Sequence, residues 1–209
     1  MPKKTRFCLM RHGETDWNAQ GRIQGQIDIP LNRTGESQAM AAAQSLAAES
    51  FDAAYSSDLL RAWATAEAVA GEAVLAEAQL RERHYGTLQS LTMKEAKALH
   101  PEVYRRHVEW DLHFDLDGGE SLAGFAKRAM AGLDSLARRH AGEKVLVVTH
   151  GGVLDIVYRT ATGQSLAARR DFPIPNAALN WLERDETSWR VQLWADQRHL
   201  GVALDELPG

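Results

Sequence analysis

Two short stretches of this chain each place a histidine at the end of an apolar run and directly before glycine. They are Leu9-Met10-Arg11-His12-Gly13 and Val147-Val148-Thr149-His150-Gly151-Gly152. An imidazole beside a fixed guanidinium suits attack on a phosphate ester. Phosphoryl transfer through a side chain needs a nucleophile, cations for the equatorial oxygens and an acid for the leaving alcohol. His12 is the candidate nucleophile, Gly13 permits close backbone approach, and Arg11 is the adjacent cation, whose fork matches phosphate better than lysine. Arg61, in Ser56-Ser57-Asp58-Leu59-Leu60-Arg61-Ala62, is a second cation at the start of a helix, where the helix end adds positive potential. Glu82, in Leu80-Arg81-Glu82-Arg83-His84-Tyr85-Gly86, is the candidate acid, because a carboxyl beside a bound anion has its pKa raised. His150 adds a ring N–H and is expected to be protonated next to a phosphate dianion.

The elements expected to position these residues alternate between strand and helix, which predicts an α/β fold with a largely parallel sheet. Residues 6–10 read as the first strand and 34–48 as an alanine-rich helix. Residues 51–55 read as a second strand, followed by a helix to Ala70 with Asp58 as its cap. A third strand is expected over 74–80, and helices over 93–99 and 101–110, the latter begun by Pro101. Residues 121–140 give the clearest amphipathic pattern, with Leu122, Phe125, Ala129, Leu133 and Leu136 on one face. Residues 144–149, KVLVVT, read as a central strand buried on both faces, and a helix follows to Thr162, stopped by Gly163. A late hairpin is expected over 178–183 and 189–195, turning at 185–188 and carrying Trp181, Trp189 and Trp194; the tail after Leu200 is expected to pack loosely. In a parallel sheet ligands bind outside the carboxyl ends of the strands, so His12 and His150 should reach one crevice.

Composition narrows the partners. The 209 residues are 44% hydrophobic and 25% charged with a net charge of −4, the profile of a globular protein with no basic surplus for nucleic acid or anionic membrane. Any phosphate site must be a local positive pocket. The apolar stretch behind Lys3, Lys4 and Arg6 is too short for a signal peptide, and no run approaches a membrane span, so a cytoplasmic protein is expected. The single cysteine, Cys8, forms no disulfide framework and reads as a buried, inert thiol. His84, His100, His107, His113, His140 and His199 lack metal-ligand spacing, so no metal site is expected.

Taken together and in order, LMRHGETDWN, SSDLLRAWATAE, LRERHYG and VTHGG resemble the histidine phosphatase superfamily, in the branch of phosphoglycerate mutases and related phosphatases. The resemblance spans nearly the whole chain. It implies a three-layer αβα sandwich with a mostly parallel central sheet, one domain over 1–209 and a lid insertion at about 87–117. It further implies a transient phosphate on His12, with Arg11, Arg61, Glu82 and His150 completing the catalytic set. Asn18, Gln24 and the backbone of Gly25 would contact phosphate, and Tyr85 and Gly151 join the substrate-binding candidates. The segment Gly118-Gly119-Glu120-Ser121 matches a frequent GES segment and is assigned a structural role.

The same resemblance implies two activities. Hydrolysis of small phosphate monoesters is the favoured one. The alternative is a cofactor-dependent phosphoglycerate mutase interconverting 2- and 3-phosphoglycerate, primed by bisphosphoglycerate, with Lys94, Arg105 and Arg106 as a carboxylate clamp. Three departures weigh against the mutase: the stretch between Arg61 and His150 is short, Gly152 stands where those mutases carry asparagine, and the three cations lie off the expected offsets. Asp111, His113, Phe114 and Asp115 would then line the substrate mouth. A non-catalytic module that binds phosphate esters is disfavoured, because nucleophile, cations and acid are all present. A small phosphorylated metabolite is the expected partner, with no cofactor outside the mutase case; the late hairpin offers an edge through which two copies could pair.

Overall fold

The computed structural model describes residues 3–201, and its centre is a six-stranded sheet of order β3-β2-β4-β1-β5-β6. The strands are β1 (Thr5–Arg11), β2 (Ala53–Ser56), β3 (Val74–Ala76), β4 (Lys144–Thr149), β5 (Leu179–Arg184) and β6 (Trp189–Asp196). β1, β2, β3 and β4 pair in parallel, whereas β5 and β6 run antiparallel at one edge.

Side-chain alternation on the central strands builds the three layers. Phe7, Leu9, Val145 and Val147 pack against α6 (Leu122–Arg139) and α7 (Gly151–Thr162). Cys8, Met10, Leu146 and Val148 pack against α2 (Arg33–Ser45) and α3 (Leu60–Ala70) on the opposite face. The fold is therefore the expected αβα sandwich. Burial pushes the Cys8 thiol far above its ordinary pKa and keeps it protonated.

Outside the layers, α1 (Asp16–Ala19) follows β1, and α4 (Met93–Leu99) and α5 (Pro101–Val108) lie in the 87–117 segment. That segment has its own small core of Leu88, Ala96, Val103 and Leu116, with Ile23, Tyr85 and Phe114 packed against it.

Several boundaries differ from expectation for identifiable reasons. Asp58 does not cap α3. Arg81 takes its carboxylate in a two-pronged pair at 2.7 and 2.6 Å, and Asp28 Oδ1 instead accepts from Leu60 N at 2.8 Å. The third strand stops at Ala76, and Ala78–Leu80 forms a 3₁₀ turn whose entry Glu77 caps by accepting from Gln79 N. α2 ends at Ser45 rather than 48, and α5 ends at Val108 rather than 110. The late hairpin turns at 185–188 as expected, where Asp185 accepts from the backbone of Thr187 and Ser188. Apart from Gly201, the tail after Leu200 lies outside the described residues.

Candidate active site

Register places the two histidines together. Arg11 on β1 lies opposite Thr149 on the adjacent parallel strand β4, so His12 and His150 leave neighbouring strand ends at the same level. Their ring centroids are 5.2 Å apart, and both side chains are buried.

His12 is held from several directions. Its backbone N–H donates to Thr149 O at 2.9 Å, and its carbonyl accepts from Asn176 Nδ2 at 2.9 Å. Ring Nδ1 lies 2.7 Å from Gly13 O, which can only accept, so Nδ1 carries the proton and Nε2 presents its lone pair. Arg61 Nε approaches that Nε2 at 3.3 Å. Burial, then the charges of Arg61 and Arg11, hold the ring well below the ordinary imidazole pKa, so it is neutral and nucleophilic. Gly13 is needed for contact with α2: a Cβ there would stand 2.4 Å from Gly35 O. Gly13 N donates to Thr65 Oγ1 at 3.0 Å, tying the loop to α3.

Arg61 is 1% exposed and lines the crevice beside His12. Besides its approach to His12, it donates from Nη1 to Ile27 O at 3.0 Å and from Nη2 to Gly25 O at 2.7 Å. Arg11 donates from Nη1 to Ile174 O at 3.0 Å, which turns its guanidinium toward the loop after α7. His150 Nε2 meets Ser57 Oγ at 2.8 Å. Sequence reasoning expected this ring to be protonated beside phosphate. In the structure, burial and the fixed charges of Arg61 and Arg11 hold it well below the ordinary value, and the ring is neutral.

Glu82 reaches the first turn of α7. Oε2 accepts from Gly152 N at 2.9 Å and Oε1 from Arg83 N at 2.7 Å. Burial raises its pKa above the ordinary carboxyl value, opposed by those two N–H groups and by Arg61 and Arg11. The shift is in the direction an acid needs, and it precedes any bound anion. Gly152 makes this contact possible, since a Cβ on it would lie 2.2 Å from Glu82 Oε1.

The remaining candidates flank this centre. Asn18 is buried, and its Oδ1 accepts from Thr15 N and Thr15 Oγ1 in a capping box, which directs its amide nitrogen to any donor role. Gln24 is 8% exposed, and its buried Oε1 has no hydrogen-bond partner among the described residues. Gly25 has φ +57°, a left-handed conformation, and a Cβ there would strike the Gln89 side chain. A Cβ on Gly151 would lie 3.5 Å from Arg11 Nε, in ordinary contact with the guanidinium. Tyr85 sits edge-on to His107 with Arg83 over its ring, both at 5.6 Å. His107 is pushed down to about 4 by burial and by Arg83.

Two of the three cations of the mutase reading are engaged elsewhere. Arg105 is exposed and paired with Glu102 and Glu109. Arg106 pairs with Asp111 at 2.6 Å and stacks over Phe114 at 3.9 Å. Lys94 is exposed on α4. Asp111 also accepts from His113 N and Phe114 N, so it folds its own turn, and Phe114 joins the small core rather than an open mouth. His113 and Asp115 are exposed.

Sequence reasoning missed Ser57, Thr65 and Asn176, which hold the histidines and the glycine loop. Ser57 lay inside a quoted motif; Asn176 had no spacing signal. Among the described residues no cluster of three His, Cys, Asp or Glu is arranged to hold a metal, and no helix is long and apolar enough to cross a membrane.

A neutral, fixed imidazole, two buried guanidiniums and a carboxyl with raised pKa around one crevice are the groups that covalent phosphoryl transfer requires. Residues 7–197 match the histidine phosphatase superfamily (branch 1), and the chain belongs to that superfamily. It is similar to the metal-independent phosphoserine phosphatase of Arabidopsis thaliana, 42% identical over 94% of this chain and 83% of the relative. It is also similar to the probable phosphoglycerate mutase GpmB of Photorhabdus laumondii, 36% identical over 95% of this chain and 97% of that one. Among solved structures, Bacillus stearothermophilus YhfR superimposes with a TM-score of 0.87 at 32% identity, covering 93% of this chain and 98% of its own.

Proposed function

We propose that this enzyme hydrolyses small phosphate monoesters through a phosphate carried on His12, and that O-phosphoserine is the first substrate to try. The observation that carries the reading is the hydrogen bond from His12 Nδ1 to Gly13 O at 2.7 Å, which leaves Nε2 as the nucleophilic nitrogen beside Arg61. Nε2 attacks phosphorus, the P–N bond forms, the ester P–O bond breaks, and Glu82 gives its proton to the departing alcohol oxygen. The Gly13 carbonyl stabilises the positive charge that develops on the ring. Water then attacks phosphorus, the Glu82 carboxylate takes its proton, the P–N bond breaks and inorganic phosphate leaves.

Arg11, Arg61, His150, Gln24, Asn18 and the backbone at Gly25 and Gly151 would hold the phosphoryl oxygens, and Tyr85 would meet the alcohol portion. Hydrolysis is favoured over mutase activity because Arg105 and Arg106 are neutralised by Glu102, Glu109 and Asp111. The phosphoserine assignment draws support from the name of the 42% identical relative, and the absence of a metal requirement from the same source.

A hydrolysis screen over O-phosphoserine, phosphoglycerates and sugar phosphates, with chelator present and His12→Ala protein as control, tests this. Phosphate release with an acid-labile phosphoenzyme on His12 is expected. Turnover no greater than that of His12→Ala refutes phosphotransfer through this residue. Interconversion of phosphoglycerates on priming with bisphosphoglycerate, without net hydrolysis, restores the mutase reading.

A further inference from the structure

The carboxyl of Glu82 must reach α7 from a stretch of chain that has no strand pairing. β3 ends at Ala76, and residues 81–84 follow a single 3₁₀ turn. One side chain from the opposite helix holds this stretch. Arg128 on α6 donates from Nη1 to Gln79 O at 2.8 Å and Arg81 O at 3.0 Å, and from Nη2 to Glu82 O at 3.1 Å. Its remaining hydrogens go to Glu120: Nε to Oε1 at 2.7 Å and Nη2 to Oε2 at 2.8 Å. All five guanidinium N–H groups are thereby used within the protein.

Glu120 grips the far side of the same stretch. Its Oε2 accepts from His84 N at 2.9 Å, its backbone N–H donates to His84 O at 2.8 Å, and its carbonyl accepts from Arg83 Nε at 2.9 Å. Backbone on both sides of Glu82 is therefore tied to one ion pair whose side chains are 23% and 25% exposed. Gln26 Nε2 adds a bond to Glu82 O at 3.0 Å.

We propose that Arg128 and Glu120 are positioning residues for the reaction, a clamp that sets where the Glu82 carboxyl stands relative to the leaving oxygen. With no donor left over, Arg128 does not bind phosphate; it acts through Glu82. The clamp rests on the reading of Glu82 as the leaving-group acid.

The experiment compares kcat/KM for two esters in the Arg128→Lys, Arg128→Gln and Glu120→Gln proteins and in Glu82→Gln. An alkyl phosphate such as O-phosphoserine, or whichever alkyl ester the screen identifies, needs its alkoxide protonated; p-nitrophenyl phosphate leaves as a stable anion. The ratio of the two rates is independent of how much protein is folded, so it separates positioning from simple destabilisation. Each clamp variant is expected to lose at least about tenfold on the alkyl ester and less than about threefold on the nitrophenyl ester. Lysine is expected not to rescue, because three donors on one nitrogen cannot span three carbonyls and a carboxylate. If Glu82→Gln shows the selective loss and the clamp variants slow both esters equally, the clamp is only structural and the proposal falls. If Glu82→Gln itself slows both esters equally, the acid assignment fails and takes the clamp with it.

Discussion

Gly152 offers the sharpest perturbation of this site, because its missing side chain sets a distance in the chemistry. A methyl group added there would lie 2.2 Å from Glu82 Oε1 and 3.0 Å from Phe125 Cε1. Ordinary carbon contacts are near 3.5 Å, so something must yield by about 1 Å. Phe125 is 1% exposed within the core and has little room, whereas the carboxyl is the end of a flexible side chain. Glu82 therefore moves, and moving costs one or both of its bonds to Gly152 N and Arg83 N, at 2.9 and 2.7 Å. A hydrogen bond to a charged group contributes about 1.5–3 kcal/mol. Carried into the transition state, that predicts a loss of about 10–100-fold in kcat/KM for alkyl phosphates in Gly152→Ala. p-Nitrophenyl phosphate should change by less than about threefold, since its leaving group needs no proton. The helix itself should tolerate the change, because alanine is favoured over glycine by about 1 kcal/mol inside helices. Urea midpoints measured beside the two rates separate the effects. A Gly152→Ala protein that hydrolyses both esters at the parent rate would show that Glu82 does not act from the place it occupies.

Two other outcomes follow from the buried rings. Ser57→Ala removes the partner of His150 Nε2 at 2.8 Å and should weaken inhibition by inorganic phosphate about tenfold, equivalent to about 1.4 kcal/mol; an unchanged inhibition constant would mean that His150 needs no orienting partner. His12 and His150 are both held below the ordinary imidazole pKa, so between those lowered values and about 6.5 the unfolded chain binds protons that the folded chain refuses. Stability therefore rises with pH through that window and is lost as pH falls below about 6.5, by up to about 1.4 kcal/mol per pH unit for each ring. Urea midpoints between pH 7.5 and 5.5 should show this slope, and His150→Asn should flatten part of it; an unaltered slope in that variant would contradict the burial of a neutral ring.

What the sequence made legible was whatever a single run of residues encodes. β1 and β4 are continuous apolar runs because both faces are buried, and each ends in histidine then glycine, so their common crevice could be read before any coordinates. The register of Arg11 against Thr149 is the physical form of that inference. Contacts made across long separations were not legible. Asn176 reaches the His12 carbonyl over 164 positions, and no local pattern marks it. Asp58 looked like a cap until Arg81, 23 residues on, took its carboxylate, and Asp28 supplied the cap from 32 residues away. Arg128 has no local signal beyond its place on an amphipathic helix, although three of its hydrogens go to the loop that carries Glu82 and the other two to Glu120.

The loop carrying Gln24 and Gly25 is mechanically joined both to Arg61 and to the 87–117 segment. Arg61 donates to the carbonyls of Gly25 and Ile27, fixing one side of the loop that carries Gln24 to the crevice of His12 and His150. The other side of that loop is bound to the 87–117 segment. Arg22 Nη1 donates to Ser90 O at 2.9 Å and to Glu95 at 2.8 Å, and Ile23 N donates to Leu91 O at 2.9 Å. A change of length or packing in 87–117 is therefore transmitted through Arg22 and Ile23 to Gln24 and Gly25, two steps from the nucleophile. On the proposed reading, in which Gln24 and Gly25 meet the phosphate, substitutions confined to 87–117 should therefore alter kcat/KM for phosphate esters without touching His12, Arg61, Glu82 or His150, and unchanged rates in Glu95→Ala protein would show that the coupling carries nothing.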